Sequence, residues 1–227
     1  MYNLTIHASE LSSIVAGYKP NMKKMPPLSK GAMALVKSKI KQHLRQYNMH
    51  FSTSATRKGT EKEQEAIELL NQYRCKNYQK CTTRIKDIIL SGECDIIDLQ
   101  CYDFKTGEYC QKIIRDIKCP EKWPNMPAAW DEVKEYAKKG GYDWQGVAYM
   151  YLYDADKFRI DCVFMETDID EIPSWQNHTQ FTVMPNVPLK QRICTWGFDR
   201  DYHKEAFMLD RLEKCNEFAQ YYYNRIK

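Results

Sequence analysis

At 227 residues the chain is long enough for one sizeable domain, burying roughly 70–75% of the surface its unfolded form exposes, and a single domain over residues 1–227 is expected. No apolar run approaches the roughly 18 residues of a membrane span, and Met1 to Ala16 has neither a basic block nor a continuous apolar core, so a soluble cytoplasmic protein is expected. The net charge of +4 conceals an asymmetry: residues 11–60 hold ten basic side chains and no acid, leaving 24 of the 34 basic residues against all 30 acids, a balance of −6. A basic arm on an acidic body suits a polyanion-binding protein with a metal-binding interior, although a solvated lysine face gives the same pattern. The nine cysteines include no CxxC or CxxH pair, which argues against a zinc ribbon or an iron–sulfur staple, and their odd number fits reduced thiols.

In chain order, residues 5–17 read as a short helix with Ser9 as N-cap and Gly17 just past its end. A loop follows, then a helix from about Ala32 to Tyr47 with Met33, Val36, Ile40, Leu44 and Tyr47 on one stripe. Lys37, Lys41 and Arg45 recur on another stripe, where they can meet phosphates. A third helix follows Gly59 and places Glu63 in line with Ile67 and Leu70, so a carboxylate shares the inward stripe. Three strand-like runs come next, 84–90, 94–102 and 109–119, and read as a meander with a turn at Gly107. Pro120, Pro124 and Pro127 make a rigid loop with Trp123 and Trp130. Helical patterns return over 130–139 and 142–153, and a strand over 158–166 completes an αβββαβ order. The remainder predicts a proline-punctuated loop (173–188), an edge strand within 189–198 and an amphipathic helix over 201–225. The expected class is thus α/β (α+β): a basic helical arm (11–60), a core (60–166) holding a mixed sheet of about four to five strands, and a C-terminal strand and helix (189–227).

The chemistry concentrates at IIRDIKCP. Side chains alternate along a strand, so Asp116 and Lys118 project to one side and Ile117 to the other. Asp95, in the preceding strand of the expected hairpin, brings a second carboxylate to the same place. Phosphodiester hydrolysis needs an activated water and a hard cation, and magnesium serves when two or three carboxylates hold it with positions left open. Asp95 and Asp116 would be ligands, Glu63 would bind directly or through water, and Lys118 would hold or deprotonate the water. Glu61 and Glu65 are rivals to Glu63, and the five histidines have no ligand spacing. Trp123, Trp130 and Tyr142 are either core or a platform for an unpaired base.

This pattern resembles the PD-(D/E)xK nuclease superfamily, and within it the viral recombination exonucleases of the lambda-exonuclease or YqaJ type. The likeness rests on IHASELSSIVAG, GTEKE (59–63), GECDII with RDIKCP, and the Gln145-x-x-x-Tyr149 pair, in the family's order and spanning nearly the whole chain. Singly each motif is weak; jointly they are fairly specific. The resemblance implies a Mg2+-dependent exonuclease, with Mn2+ as a substitute, cutting linear double-stranded DNA in the 5′ to 3′ sense. It also implies the Ile117 main-chain carbonyl as a ligand, Gln145 and Tyr149 facing substrate, Ser9 near a terminal phosphate, a single-strand annealing protein as partner and a trimeric ring. Two features depart from it: no arginine precedes the first motif, and Glu93 stands where lambda exonuclease has a serine. A structure-specific or flap endonuclease on the same core, and a non-catalytic DNA-binding protein on a nuclease scaffold, are the alternative readings.

Overall fold

The computed structural model describes residues 2–19, 27–47, 54–103, 105–106, 108–172 and 174–226. Lys23 and Lys24 of the basic arm, and the Gly107 turn position, lie outside the described residues.

The first segment is not the single helix expected. Ile6–His7 form a strand, β1, because their main chain pairs in parallel with Leu90–Ser91. A 3-10 turn over Ala8–Glu10 follows, stabilised by the Glu10 carboxylate accepting the His7 N–H at 2.8 Å, and α1 occupies Leu11–Ile14. Ser9 is therefore not an N-cap; it stands exposed inside the turn. Gly17 does close the segment, at φ 94°. Helix α2 (Lys30–Arg45) starts on Ser29, whose hydroxyl accepts the Ala32 N–H at 3.0 Å, and buries Ala32, Val36 and Ile40, while Leu44 and Tyr47 end up outside. Helix α3 (Ser54–Arg74) begins before Gly59 rather than after it. An interior glycine costs only about 1 kcal/mol.

The expected meander divides between two sheets. Residues 84–90 do not form a strand of the sheet that holds residues 96–118: β2 (Ile85–Lys86) and β3 (Leu90–Gly92) join β1 in a three-stranded sheet of order β1-β3-β2. The intervening Ile88 is exposed at the turn, so the apolar run that looked like one strand is a small hairpin. The main sheet has order β4-β5-β6-β7, from β4 (Ile96–Asp103), β5 (Glu108–Lys118), β6 (Lys157–Val163) and β7 (Ile193–Asp199). Its one parallel pair, β5 with β6, is bridged by α4 (Trp130–Gly140) and α5 (Tyr142–Leu152), the connection a parallel pair requires. A Cβ on Gly146 of α5 would overlap the Phe158 ring of β6, so glycine sets this helix against the sheet. Helix α6 (Tyr202–Ile226) closes the molecule against α2, with Phe207, Met208 and Leu212 buried.

Both faces of the main sheet are covered. One carries Ile114, Phe158, Ile160 and Cys162 into the larger core with α5; the other carries Ile96, Ile117, Val163 and Ile193 against Ala66, Ile67 and Leu70 of α3. On the α3 face a buried charge ladder crosses the strands: Arg115 binds Asp98 and Asp161, each at 2.9 Å, and Arg74 of α3 reaches Asp161 at 3.0 Å. Tyr78 and Thr195 complete it with hydrogen bonds to Asp98 and Asp161. The ladder fastens the far end of α3 to the sheet and so fixes the helix that carries Glu63. Among the described residues no helix is long and apolar enough to cross a membrane.

Candidate active site

The ladder between β4 and β5 begins with Ile96 opposite Arg115, so Asp95, one step earlier, comes opposite Asp116 and points to the same face. Strand alternation places Lys118 there as well. Asp95 Oδ2 accepts the Ile117 N–H at 2.5 Å, which holds the carboxylate across the strand end. Asp116 is 1% exposed and its Oδ2 lies 2.7 Å from Lys118 Nζ, whose ammonium also sits 4.6 Å over the Tyr142 ring. Glu63 approaches from α3, with Lys80 Nζ 3.0 Å from its Oε1. A cavity of about 790 Å³ opens here, lined by Glu63, Asp95, Ile117 and Lys118 together with Thr60, Glu121 and, from the α4–α5 corner, Tyr136, Lys139 and Tyr142.

The electrostatics are those of crowded carboxylates. Burial first, and the Asp116 charge second, push the Asp95 carboxyl up to about 8 against the partial relief of Lys118. Burial works against the Lys118 ammonium, but Asp116 and Asp95 outweigh it and hold the group above the ordinary lysine range. Lys118 is thus a cation here, suited to holding a nucleophile or a phosphate oxygen rather than taking a proton. Burial pushes the Cys119 thiol up to about 12, so it is an inert part of the wall.

Three buried side-chain polar atoms among the described residues accept or donate no hydrogen bond, and two belong to this site: Glu63 Oε1 and Asp116 Oδ2. Each faces a lysine ammonium, Lys80 Nζ at 3.0 Å from Glu63 Oε1 and Lys118 Nζ at 2.7 Å from Asp116 Oδ2. Buried carboxylate oxygens met only by cations suit a divalent ion, which would be held by Asp95 and Asp116 with Glu63 and the Ile117 carbonyl. No three His, Cys, Asp or Glu side chains among the described residues form a ready metal cage. Magnesium does not demand one, since it usually keeps several waters and binds through one or two carboxylates plus substrate phosphates.

Other expected site residues take different places. Gln145 and Tyr149 are buried and bonded to each other, Gln145 Nε2 donating to Tyr149 Oη at 2.7 Å, and neither lines the cavity. Tyr149 does sense the site: burial, then Asp116, raise its phenol above the usual range. Ser9, Lys37, Lys41 and Arg45 do not line the cavity either. Lys37 lies over the Phe218 and Tyr222 rings of α6, at 5.8 and 5.4 Å, while Lys41 and Arg45 are exposed. Glu93 pairs with Arg84 at 3.1 Å. Trp123 is no free platform: it stacks on Phe164 at 3.9 Å and its indole N–H donates to the Thr182 carbonyl at 2.8 Å. Lys139 and Tyr136 of the cavity wall, and the buried Lys58 behind it, are not among the residues the sequence motifs point to. Lys58 had a signal, for it stands four and eight residues before Lys62 and Ala66, in phase with the buried stripe of α3.

No protein-family model matches the sequence, and comparison with curated proteins finds no match. Among solved structures the chain is similar to a phage-related exonuclease from Haemophilus somnus 129PT, 28% identical with a TM-score of 0.84, over 100% of this chain and 98% of that one. It also resembles LHK-Exo, an alkaline exonuclease from Laribacter hongkongensis, at 14% identity and a TM-score of 0.61, covering 97% of this chain and 92% of that one. A structure of LHK-Exo in complex with dAMP gives 13% identity and a TM-score of 0.65, covering 98% and 91%. The chain has the lambda-exonuclease/YqaJ-like nuclease fold. The similarity to the phage-related exonuclease runs from end to end.

Proposed function

We propose that the protein is a Mg2+-dependent exonuclease that trims linear double-stranded DNA in the 5′ to 3′ direction, in the recombination or replication of viral DNA within the host cytoplasm. The observation that carries this reading is the cluster of buried carboxylates, Asp95, Asp116 and Glu63, whose Asp116 Oδ2 and Glu63 Oε1 are met only by the ammoniums of Lys118 and Lys80. The end-to-end similarity to a phage-related exonuclease supports the substrate class. When bound, magnesium, or manganese in its place, supplies charge neutralisation on the phosphoryl oxygens and a more acidic water. The chain itself does the rest. Asp95, held by the Ile117 N–H, and Asp116, fixed in the strand, present oxygens to the cation. Lys118 stays an ammonium and orients the attacking water or the scissile phosphate. Lys139 meets the DNA backbone at the mouth of the cavity. A trimeric ring and an annealing-protein partner complete the proposal by resemblance.

A time course on end-labelled duplexes, with and without a 5′ phosphate, tests it. Mononucleotides released from one strand in magnesium, none from covalently closed circles, and none from the Asp116→Ala variant are expected. Cutting of closed circles would favour the structure-specific endonuclease, a reading motivated by Glu93, whose carboxylate remains beside Arg84. Intact linear duplex after long incubation would leave a DNA-binding protein only.

A further inference from the structure

Lys58 is 2% exposed and makes no salt bridge among the described residues; the Glu121 and Glu166 carboxylates act on it only from beyond contact. Its Nζ donates instead to two main-chain carbonyls, Pro120 at 3.1 Å and Glu121 at 3.0 Å, and stands 4.9 Å over the Phe164 ring. Phe164 is in turn stacked on Trp123, so the ammonium closes a well-packed column behind the loop that walls the cavity. A buried ammonium with no carboxylate in contact is expensive, and an apolar side chain of similar size would spare that cost. Burial draws the amine down to about 8, which registers the same cost. The two ends it joins are telling: Pro120 and Glu121 continue directly from the strand that carries Asp116 and Lys118, while Lys58 lies on the helix that carries Glu63.

We propose, on the basis of the function proposed above, that Lys58 is a positioning residue for phosphodiester cleavage: its ammonium tethers the Pro120–Glu121 main chain to α3 and thereby sets the distance between Glu63 and the Asp95–Asp116 pair. It touches neither substrate nor cation. The ladder through Arg74 fixes the far end of α3, and Lys58 fixes the near end. A drift of about 1 Å between reacting groups lowers turnover by as much as about a hundredfold, so a tether at this place governs rate rather than DNA affinity.

The test compares wild type with Lys58→Met. The variant is expected to fold with an unchanged or higher melting temperature, to keep KM for linear duplex, to lose kcat by about ten- to a hundredfold, and to need more Mg2+ for half-maximal rate. Lys58→Arg, which restores charge and donors, is expected to recover part of kcat. A folded Lys58→Met with wild-type kcat overturns the tether, and so does a raised KM with unchanged kcat, which would mean direct contact with DNA. Should the methionine variant not fold, Lys58→Gln, which keeps a donor without the charge, is read by the same two parameters, and wild-type kcat there overturns it too. An inactive wild type would sink the nuclease reading. The tether is then read from the Mn2+-induced rise in melting temperature, which is expected to be smaller in Lys58→Met and overturns the tether if equal.

Discussion

Asp95 shows how much a single residue's position decides. It titrates near 8 in the fold and at 3.8 as an ordinary aspartate, so between those values the folded state holds the extra proton. Its contribution to stability is complete below about pH 4 and is lost as pH rises through 8. The metal-free protein is expected to lose thermal stability over this window, and Mg2+, which competes with that proton, to raise the melting temperature more at about pH 8 than at about pH 6. A metal-induced shift that ignores pH, followed by calorimetry, would take Asp95 out of the cation site. Lys118→Ala is expected to lower kcat by about a hundred- to a thousandfold with little change in KM, because the ammonium acts on charge that develops during the reaction. Single-turnover kinetics on linear duplex check this. Asp116, Asp95 and Lys118 were legible in the sequence because strand alternation and hairpin pairing are local rules. That Lys118 is cationic was not legible, since it follows from two acids brought together by the fold.

Among the elements, α3 and β5 matter most, since one carries Glu63 and the other Asp116 and Lys118. Their mutual position rests on the buried ladder Asp98–Arg115–Asp161–Arg74. Asp161→Ala would leave Arg115 with Asp98 alone and Arg74 with no carboxylate, and is expected to cost about 3–5 kcal/mol, read from denaturant unfolding. Gly146→Ala drives a methyl group into the Phe158 ring and is expected to cost about 1–3 kcal/mol, with α5 displaced from the sheet. Periodicity revealed α2, α5, β5, β6 and α6 to within a few residues. It failed where pairing partners were remote. Residues 84–90 look like one strand, yet Leu90 pairs with Ile6 and Ile88 is left in solvent. Residues 5–10 carry helix signals, yet a strand and a 3-10 turn form because Ile6 has that same partner.

At the scale of the whole molecule, the function proposed above puts contact with DNA at the cavity mouth rather than at Lys37. Lys37 is engaged with Phe218 and Tyr222, so Lys37→Ala is expected to leave DNA affinity nearly unchanged, whereas Lys139→Ala should weaken it and reduce the salt slope by about 1. Fluorescence anisotropy across a salt series measures both. Identical slopes for wild type and Lys139→Ala would remove the cavity mouth from the DNA path. From the sequence alone came the α+β class, the order of the core elements, the acids and lysine of the hairpin, and the carboxylate on the inward stripe of α3, all of them properties of neighbouring residues and short periods. The tertiary structure decided which charges are buried and what they meet: Lys58 against two carbonyls, Gln145 against Tyr149, Arg115 between two aspartates, Lys37 over two rings. Such contacts join residues far apart in the chain, and desolvation acts only once distant segments have closed around a group.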